Sequence, residues 1–309
     1  MSAAGGGVSL SRLTVWWHGI RPRTLAASVS PVVVGIAAAG TVVPWRSAAA
    51  LVVGLSLQIG VNLANDYHDG VRGVDTEHRL GPARLTASGM ASPRAVLLAA
   101  LGCVLVAGVA GLALALATTL WLIPIGAAAM LALWLYSGGP RPYAGLGVAE
   151  VMVFLFFGVM ATAGTAYVNA ETVSAEAWWS SVPMGLLIVA ILEANNIRDI
   201  PTDEAAGKRT LAVRIGSRRA RRLYRGLVVA SYVTLVVGVS VGIADDALGL
   251  PMWALLALAS WPVAIRPMEV VGSAEGRELI PVLVGTSLLT MAFAGLLALG
   301  LWIAGATAS

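Results

Sequence analysis

Long apolar segments dominate the chain, and each is close to the length that crosses a lipid bilayer. A membrane-spanning helix needs roughly 20 consecutive apolar residues. The sequence contains nine segments of about that length, separated by turn-forming or charged residues, and the eighth is the shortest. They cover approximately residues 24–43, 48–67, 95–116, 119–136, 146–168, 181–198, 223–243, 250–265 and 279–304. We therefore predict an all-α membrane protein with nine transmembrane helices.

Composition favours the same class. Of the 309 residues, 58% are hydrophobic and 12% are charged, whereas soluble domains are about 25% charged. A soluble chain with this composition would have too little polar surface to cover itself. Arginines precede the first apolar segment without a recognisable cleavage site, which predicts a retained helix rather than a signal peptide. We expect residues 1–20 to be a flexible segment and residues 21–309 to form one transmembrane domain.

The basic residues predict the orientation of the bundle. With nine spans and a cytoplasmic N-terminus, 19 of the 20 Lys and Arg residues fall on the cytoplasmic side, and only Arg46 falls outside. Cytoplasmic loops carry such an excess in membrane proteins. The net charge of +4 is then explained by contact with anionic lipid, so the sequence does not predict nucleic-acid binding.

Acidic and amide side chains end the second and sixth apolar segments. Asn62, Asp66 and Asp69 are spaced i, i+4, i+7, which places them on one face of a helix. A second set, spaced i, i+4, i+8, also shares a face, although a proline interrupts it and predicts a bend or an end of the helix. That set is Asn195, Asp199 and Asp203, with Asn196 beside it and Pro201 within it.

These clusters are costly where they lie. A carboxylate costs about 2.5–3.5 kcal/mol at the centre of a membrane helix and less near the ends. Like charges at i, i+4 repel each other, and the helix C-terminus is already negative. Solvated helix ends are the alternative interpretation, but two such clusters favour a functional role. Oxygen-only ligands without a Cys or His array select a hard cation such as Mg²⁺.

Basic residues follow each cluster, as a diphosphate site requires. Arg72, Arg79 and Arg84 follow the first cluster, and Lys208 and Arg209 follow the second. Carboxylate, metal and guanidinium together are typical of diphosphate binding. Because the clusters end spans two and six, spans 1–4 and 5–8 look like two copies of one unit, with span 9 added. This arrangement would direct both clusters into a central cavity of the bundle.

The motifs resemble those of the UbiA superfamily of intramembrane prenyltransferases, and the resemblance extends over nearly the whole chain. The first aspartate motif of the family appears as Asn65, Asp66, Asp69 and Asp75, and the second as Asp199 and Asp203. A further motif, tyrosine and a basic residue after span four, is matched by Tyr136, Arg141 and Tyr143. The resemblance implies a multi-pass protein of a prokaryotic cell membrane with its active site on the cytoplasmic side.

Within the superfamily, the chain resembles the members that prenylate 1,4-dihydroxy-2-naphthoate. The stretches that carry this resemblance are RPRTLAASVSPVVVG, NDYHDGVRGVD, RLGPARL, GGPRPYAGLGVAE and NNIRDIPTDEAAGKRTLAVRIG. It implies transfer of a polyprenyl group from polyprenyl diphosphate to the naphthoate ring with loss of CO₂, giving demethylmenaquinone and diphosphate. The implied setting is the lipid bilayer, with no obligate protein partner.

The resemblance also implies roles for individual residues. Two Mg²⁺ ions would be held by the four aspartates Asp66, Asp69, Asp199 and Asp203. The diphosphate would be stabilised by Arg72, Arg79, Arg84, Arg141, Lys208 and Arg209, with assistance from Asp75. Asn62, Asn65, Asn195 and Asn196 would orient ligands, as would Tyr136 and Tyr143. Arg23 is either a partner for the carboxylate of the acceptor or a residue that sets topology.

Two competing functions remain open on the sequence. A transporter also combines internal repeats with charged residues in the membrane, although here the acids lie at helix ends rather than at mid-span. Another aromatic acceptor, such as 4-hydroxybenzoate, would use the same aspartate motifs. The roles of Glu150 and Glu193, which lie inside or at the edge of apolar segments, are not predicted.

Overall fold

The computed structural model describes residues 12–73 and 84–308, and every regular element in these ranges is helical. The α-helices are α1 (Arg12–Ile20), α2 (Ala26–Ala38), α3 (Pro44–Val71), α4 (Pro93–Ala117), α5 (Leu122–Ser137), α6 (Ala149–Ala170), α7 (Ala175–Ala205), α8 (Leu211–Ile215), α9 (Ser217–Ala244), α10 (Trp261–Val270) and α11 (Ile280–Ala308). Short 3₁₀ helices cover Pro22–Thr24, Tyr143–Gly145, Met252–Ser260 and Gly276–Leu279.

Six helices of the described chain are long and apolar enough to cross a membrane: α3, α4, α6, α7, α9 and the stretch Gly276–Thr307 that contains α11. The predicted all-α membrane class is therefore confirmed. Three of the nine predicted spans fall on shorter elements, namely α2, α5 and the broken stretch Met252–Val270. The apolar run 24–43 is longer than α2 because Gly40, with φ +66°, ends the helical conformation and Pro44 begins α3.

The second half of the N-terminal segment, residues 1–20, for which we expected a flexible chain, is helical. Residues 12–20 form α1. Val15 and Trp16 of this helix pack against a buried cluster that includes Leu63 of α3 and Leu85. The apolar contact stabilises α1, because it partly buries both side chains. The prediction for residues 1–11 lies outside the described residues.

One face of α4 shows how the bundle meets lipid. Six of its exposed large apolar side chains recur every three or four residues, namely Leu98, Leu101, Leu105, Val109, Leu112 and Leu116, and Val106 is exposed beside them. This spacing is one continuous helix face. A soluble protein rarely exposes so large an apolar patch, whereas the same face is stable against hydrocarbon. The buried apolar core lies elsewhere, among α2, α7, α9 and α11.

A close helix contact brings α6 against α7. A Cβ atom at Gly158 would lie 2.3 Å from the Cα atom of Gly185, so the two backbones approach as closely as only glycine permits. Small residues at helix interfaces allow this approach in membrane proteins. Gly158 lies in a π-helical stretch of α6, Phe154–Met160. The contact fixes the position of α7, which carries the second aspartate cluster.

Candidate active site

A cavity of about 790 Å³ lies inside the bundle, walled mainly by α2, α3, α5, α6 and α7. Most of its length is apolar; the lining includes Val53, Leu57, Val61, Ile125, Leu133, Met152, Phe156, Phe157, Ile188 and Leu192. Most of its polar lining residues come from the ends of α3 and α7 and the segments near them: Arg21, Arg23, Thr24, Asn62, Asn65, Arg84, Tyr136, Tyr143, Asn195, Asn196, Arg198, Asp199, Asp203 and Lys208. The other polar lining residues are His18, Ser28, Gln58 and Thr165. The cavity is therefore suited to a ligand with an apolar chain and a charged head.

The first aspartate cluster is buried at the C-terminal end of α3. Asp66 is 1% exposed, and its carboxylate accepts hydrogen bonds from Arg21, from Arg84 Nη1 at 2.7 Å and from the Leu85 amide at 3.1 Å. Arg84 Nη2 lies 3.4 Å from Asp69 Oδ2. Two guanidinium groups and a backbone N–H thus compensate carboxylates that would be costly alone in an apolar surrounding.

Asn62 holds the segment that supplies one of these guanidinium groups. Its side-chain amide donates to the Ile20 carbonyl at 3.0 Å and to Thr24 Oγ1 at 3.1 Å. These bonds fix the turn between α1 and α2, in which Arg21 adopts a left-handed conformation with φ 55°. Arg23, from the same turn, lines the cavity. Asn62 therefore holds the turn in place as well as lining the cavity.

The second cluster lies on a single uninterrupted helix. α7 continues through Pro201 to Ala205, so Asp199 and Asp203 stay in register on one face. Asp199 receives two hydrogen bonds from its neighbour Arg198, from Nε and Nη2, each of 2.7 Å. Such bidentate pairs are strong and directional.

Lys208 joins the two clusters. Its Nζ atom lies 3.9 Å from Asp69 Oδ2 and 3.9 Å from Asp203 Oδ1. One ammonium group therefore reaches a carboxylate from each motif, although Asp69 and Asp203 are far apart in sequence. The predicted convergence of the ends of α3 and α7 on one cavity is present in the structure.

The donor set at this end of the cavity fits a hard divalent cation. All candidate ligands are oxygens, and the buried Asn65 Oδ1 atom has no hydrogen-bond partner among the described residues. In those same ranges, no three His, Cys, Asp or Glu side chains are arranged to hold a metal ion. Mg²⁺ needs only one or two carboxylates when phosphate oxygens and water complete its shell. Of the four predicted aspartate ligands, Asp199 and Asp203 line the cavity. Asp66 and Asp69 are buried, are not among the lining residues, and form ion pairs with neighbouring cationic side chains.

Two tyrosines border the polar end. The rings of Tyr136 and Tyr143 pack edge to face with their centroids 5.4 Å apart, and both line the cavity. Burial raises the pKa of Tyr143, so its hydroxyl keeps its proton and remains a hydrogen-bond donor. Tyr136 lies in the last turn of α5, and Tyr143 begins the 3₁₀ helix after it. The packed pair therefore holds these two elements together at the cavity.

Other residues predicted for the site lie away from the cavity wall. Arg72 donates to the carbonyl oxygens of Ser137, at 2.8 Å, and of Gly139. Its side chain therefore holds the loop after α5. Arg141 and Arg209 are exposed and are not among the lining residues. The predicted binding residues Asp75 and Arg79 lie outside the described residues.

The structure adds two arginines that sequence reasoning used only as topology markers. Arg21 pairs with Asp66, and Arg198 pairs with Asp199. Arg198 precedes the second motif directly, and this adjacency was a usable signal. For Arg21 the separation of 45 residues from Asp66 left no local signal.

Fold and site together define a multi-pass helical membrane protein with paired aspartate clusters at one end of an apolar cavity. Residues 28–274 match the UbiA prenyltransferase family. The chain belongs to this family, as the sequence motifs predicted.

Curated relatives cover most of the chain. It is 45% identical over 294 residues to 1,4-dihydroxy-2-naphthoate octaprenyltransferase of Mycobacterium tuberculosis, covering 92% of this chain and 97% of the relative. Identity is 35% to the Escherichia coli protein of the same name, over 74% of this chain and 77% of that protein.

Solved structures show the same fold. A UbiA homolog from Archaeoglobus fulgidus bound to GPP and Mg²⁺ superposes with a TM-score of 0.66 at 16% identity, covering 94% of this chain and 99% of the other. A UbiA homolog from Aeropyrum pernix gives a TM-score of 0.60 at 16% identity, over 91% and 97% of the two chains.

Proposed function

We propose that the protein transfers a polyprenyl group from polyprenyl diphosphate to 1,4-dihydroxy-2-naphthoate, releasing CO₂ and diphosphate and forming the reduced, quinol form of demethylmenaquinone. The observation that carries the proposal is the meeting of both aspartate clusters at Lys208, at one end of a largely apolar cavity. The charged end suits a diphosphate, and the apolar walls suit a polyprenyl chain. The names of the relatives from Mycobacterium tuberculosis and Escherichia coli support the naphthoate acceptor.

Mg²⁺ is the proposed cofactor, held by Asp66 and Asp69 from one helix and by Asp199 and Asp203 from the other. When bound, it neutralises diphosphate and polarises the bond to the prenyl group. The Archaeoglobus fulgidus homologs bound to Mg²⁺ with GPP or DMAPP support this assignment.

The cationic side chains at the polar end stabilise diphosphate as it leaves. Lys208 and the guanidinium groups of Arg84 and Arg198 line the cavity and balance the aspartates before substrate arrives. As the C–O bond of the donor breaks, both electrons stay with the diphosphate oxygen. Preorganised positive charge stabilises that oxygen most when its charge develops.

The apolar walls protect the allylic cation that the departing diphosphate leaves behind. Phe156, Phe157 and Leu192 exclude water, which would otherwise capture the cation as an alcohol. Tyr136 and Tyr143 also line the cavity, and aromatic rings stabilise positive charge close to them. The electron-rich naphthoate ring then forms the new C–C bond, and its carboxylate leaves as CO₂ while the ring regains aromaticity. Arg23 is the proposed partner of that carboxylate.

The membrane arrangement that goes with this function has nine spans, a cytoplasmic N-terminus and the polar end of the cavity at the cytoplasmic side of a prokaryotic cell membrane. The distribution of Lys and Arg supports it. The helices α2 and α5, of 13 and 16 residues, and the stretch Met252–Val270 are then the three further spans, accommodated by local thinning or by neighbouring helices.

Purified protein in nanodiscs tests the function. It is incubated with a long-chain polyprenyl diphosphate and Mg²⁺, with 1,4-dihydroxy-2-naphthoate and 4-hydroxybenzoate in parallel, and products are followed by mass spectrometry together with released CO₂. We expect a prenylated, decarboxylated naphthoate that disappears when EDTA is added. Prenylation of 4-hydroxybenzoate alone would reassign the acceptor. Transport is tested separately with the same protein in proteoliposomes. Movement of the naphthoate or of 4-hydroxybenzoate across the bilayer without any prenylated product would contradict the proposed enzymatic activity and indicate a transporter.

A further inference from the structure

Two buried glutamates lie behind the cavity wall, next to Asn196. Glu150 is in the first turn of α6, and Glu193 is on α7, one turn before Asn196. Asn196 Nδ2 donates to Glu150 Oε1 at 3.1 Å. Glu193 is 0% exposed, and its spacing of three residues from Asn196 places it on the same helix face, the one that meets Glu150.

Neither glutamate has a cation to balance it. Glu150 Oε2 and both carboxyl oxygens of Glu193 have no hydrogen-bond partner in the described part of the chain. No Lys, Arg or His in that part forms an ion pair with either residue. Two adjacent carboxylates without a cation in an apolar surrounding are strongly disfavoured. A proton held between them satisfies both groups with one hydrogen bond.

Only Asn196, of these three residues, lines the cavity. A carboxylate oxygen can only accept a hydrogen bond, so its partner atom on Asn196 must be the NH₂ group. Glu150 therefore fixes which way the amide of Asn196 points, and the amide oxygen is the atom that remains for the cavity. This oxygen is an acceptor. It repels phosphate oxygens and binds the O–H group of a ligand.

We propose that Glu193 and Glu150 are positioning residues that hold the Asn196 amide so that its oxygen accepts a hydrogen bond from a hydroxyl of the aromatic acceptor. Glu193 donates its proton to Glu150 Oε2, and Glu150 Oε1 accepts from Asn196 Nδ2. The hydrogen bond orients the ring and increases its electron density, which favours attack on the allylic cation. The inference rests on the proposed function for the identity of the acceptor.

Two variants of one residue separate this role from packing and from metal binding. Glu193→Gln keeps a neutral donor to Glu150, whereas Glu193→Leu fills a similar volume without any donor. Steady-state kinetics are measured with each substrate varied in turn, and unfolding temperatures are measured in the same detergent. Binding of 1,4-dihydroxy-2-naphthoate is measured by isothermal titration calorimetry without the prenyl donor, so that the role is tested apart from turnover.

We expect Glu193→Gln to keep kcat and the acceptor KM within about threefold of the wild type, because the donor to Glu150 is preserved. In Glu193→Leu we expect the acceptor affinity, and with it kcat/KM for the acceptor, to fall about tenfold, the loss of roughly one hydrogen bond. The KM for the prenyl diphosphate stays unchanged. We expect the unfolding temperature of the leucine variant to fall, because Glu150 Oε2 then stays buried without a donor, whereas the glutamine variant should unfold near the wild-type temperature.

Three results would overturn the proposal. Equal loss in both variants shows that the carboxylate itself is needed, and equal retention shows that the pair only fills space. A raised KM for the prenyl diphosphate in the leucine variant places the effect at the other substrate. If Glu193→Leu does not fold, Glu193→Met replaces it with the same expected result. A wild type that binds but does not prenylate the naphthoate contradicts the proposed function alone, and the calorimetric comparison still decides the positioning role.

Discussion

Replacing Lys208 by glutamine changes the binding of the two ligands in opposite directions. The ammonium group lies 3.9 Å from a carboxylate of each cluster and lines the cavity. In Lys208→Gln the diphosphate loses a cationic partner, so the KM for the prenyl donor rises. The aspartates lose a competing cation at the same time, so Mg²⁺ binds the free enzyme more tightly.

The geometry bounds the expected change in the KM for the prenyl donor. Unit charges 4 Å apart interact by about 1 kcal/mol in water and about 4 kcal/mol at an effective dielectric constant of 20. Lys208 is 24% exposed, so it lies between these limits. A charge-assisted hydrogen bond contributes about 1.5–3 kcal/mol. We expect the donor KM to rise roughly 10- to 100-fold, since about 1.4 kcal/mol corresponds to a factor of ten.

Initial rates measured over a grid of prenyl diphosphate and Mg²⁺ concentrations give both quantities. Arg209→Gln is the matched control, because its side chain is the next cation in sequence but is exposed and away from the cavity wall. The control is expected to change the donor KM by less than about threefold, as surface charges do. An unchanged donor KM in Lys208→Gln, or an equal effect in both variants, would refute the assignment of Lys208 to the diphosphate.

Three further variants probe the metal cluster, the helix contact and the cavity. Asp66→Asn removes the nearer of the two carboxylates that pair with the buried Arg84, and Asp69 remains. Denaturant titration should therefore show a loss of about 1–3 kcal/mol in stability, and turnover should fall at least about 100-fold. Gly158→Leu should lower stability by about 1–3 kcal/mol or more, because its Cβ would lie 2.3 Å from the Cα atom of Gly185 on the neighbouring helix. Gly102→Leu is the control: a Cβ atom there would meet no atom of another described element within 4 Å, so the unfolding temperature should not fall. Gly164→Trp fills open space at the apolar end of the cavity. Turnover with a long polyprenyl donor should therefore fall at least about tenfold relative to turnover with geranyl diphosphate. An equal effect on both donors would contradict binding of the polyprenyl chain at this end.

Local periodicity accounts for what was predictable about the site. Asn62, Asp66 and Asp69 share a helix face because residues three or four apart are neighbours on any α-helix, and α3 confirms the helix. The second motif was less certain because of Pro201, yet α7 continues past it. A proline removes one backbone hydrogen bond, and packing of α7 against its neighbours outweighs that loss.

Span counting reached a different limit. Apolar runs indicate where hydrocarbon or protein interior surrounds the chain, but they do not show where the backbone leaves the helical conformation. Only 13 residues of the run 24–43 belong to α2, because Gly40 turns the chain before the apolar residues end.

By itself, the sequence determined the membrane class, the two aspartate motifs and their family, because apolar length and helical spacing are properties of neighbouring residues. The tertiary structure alone decided which cation meets which carboxylate. Arg21 reaches Asp66 across 45 residues, and Asn196 meets Glu150 across 46. Such contacts depend on the rotation of each helix about its axis, and many side chains distributed over the whole bundle set that rotation through their packing.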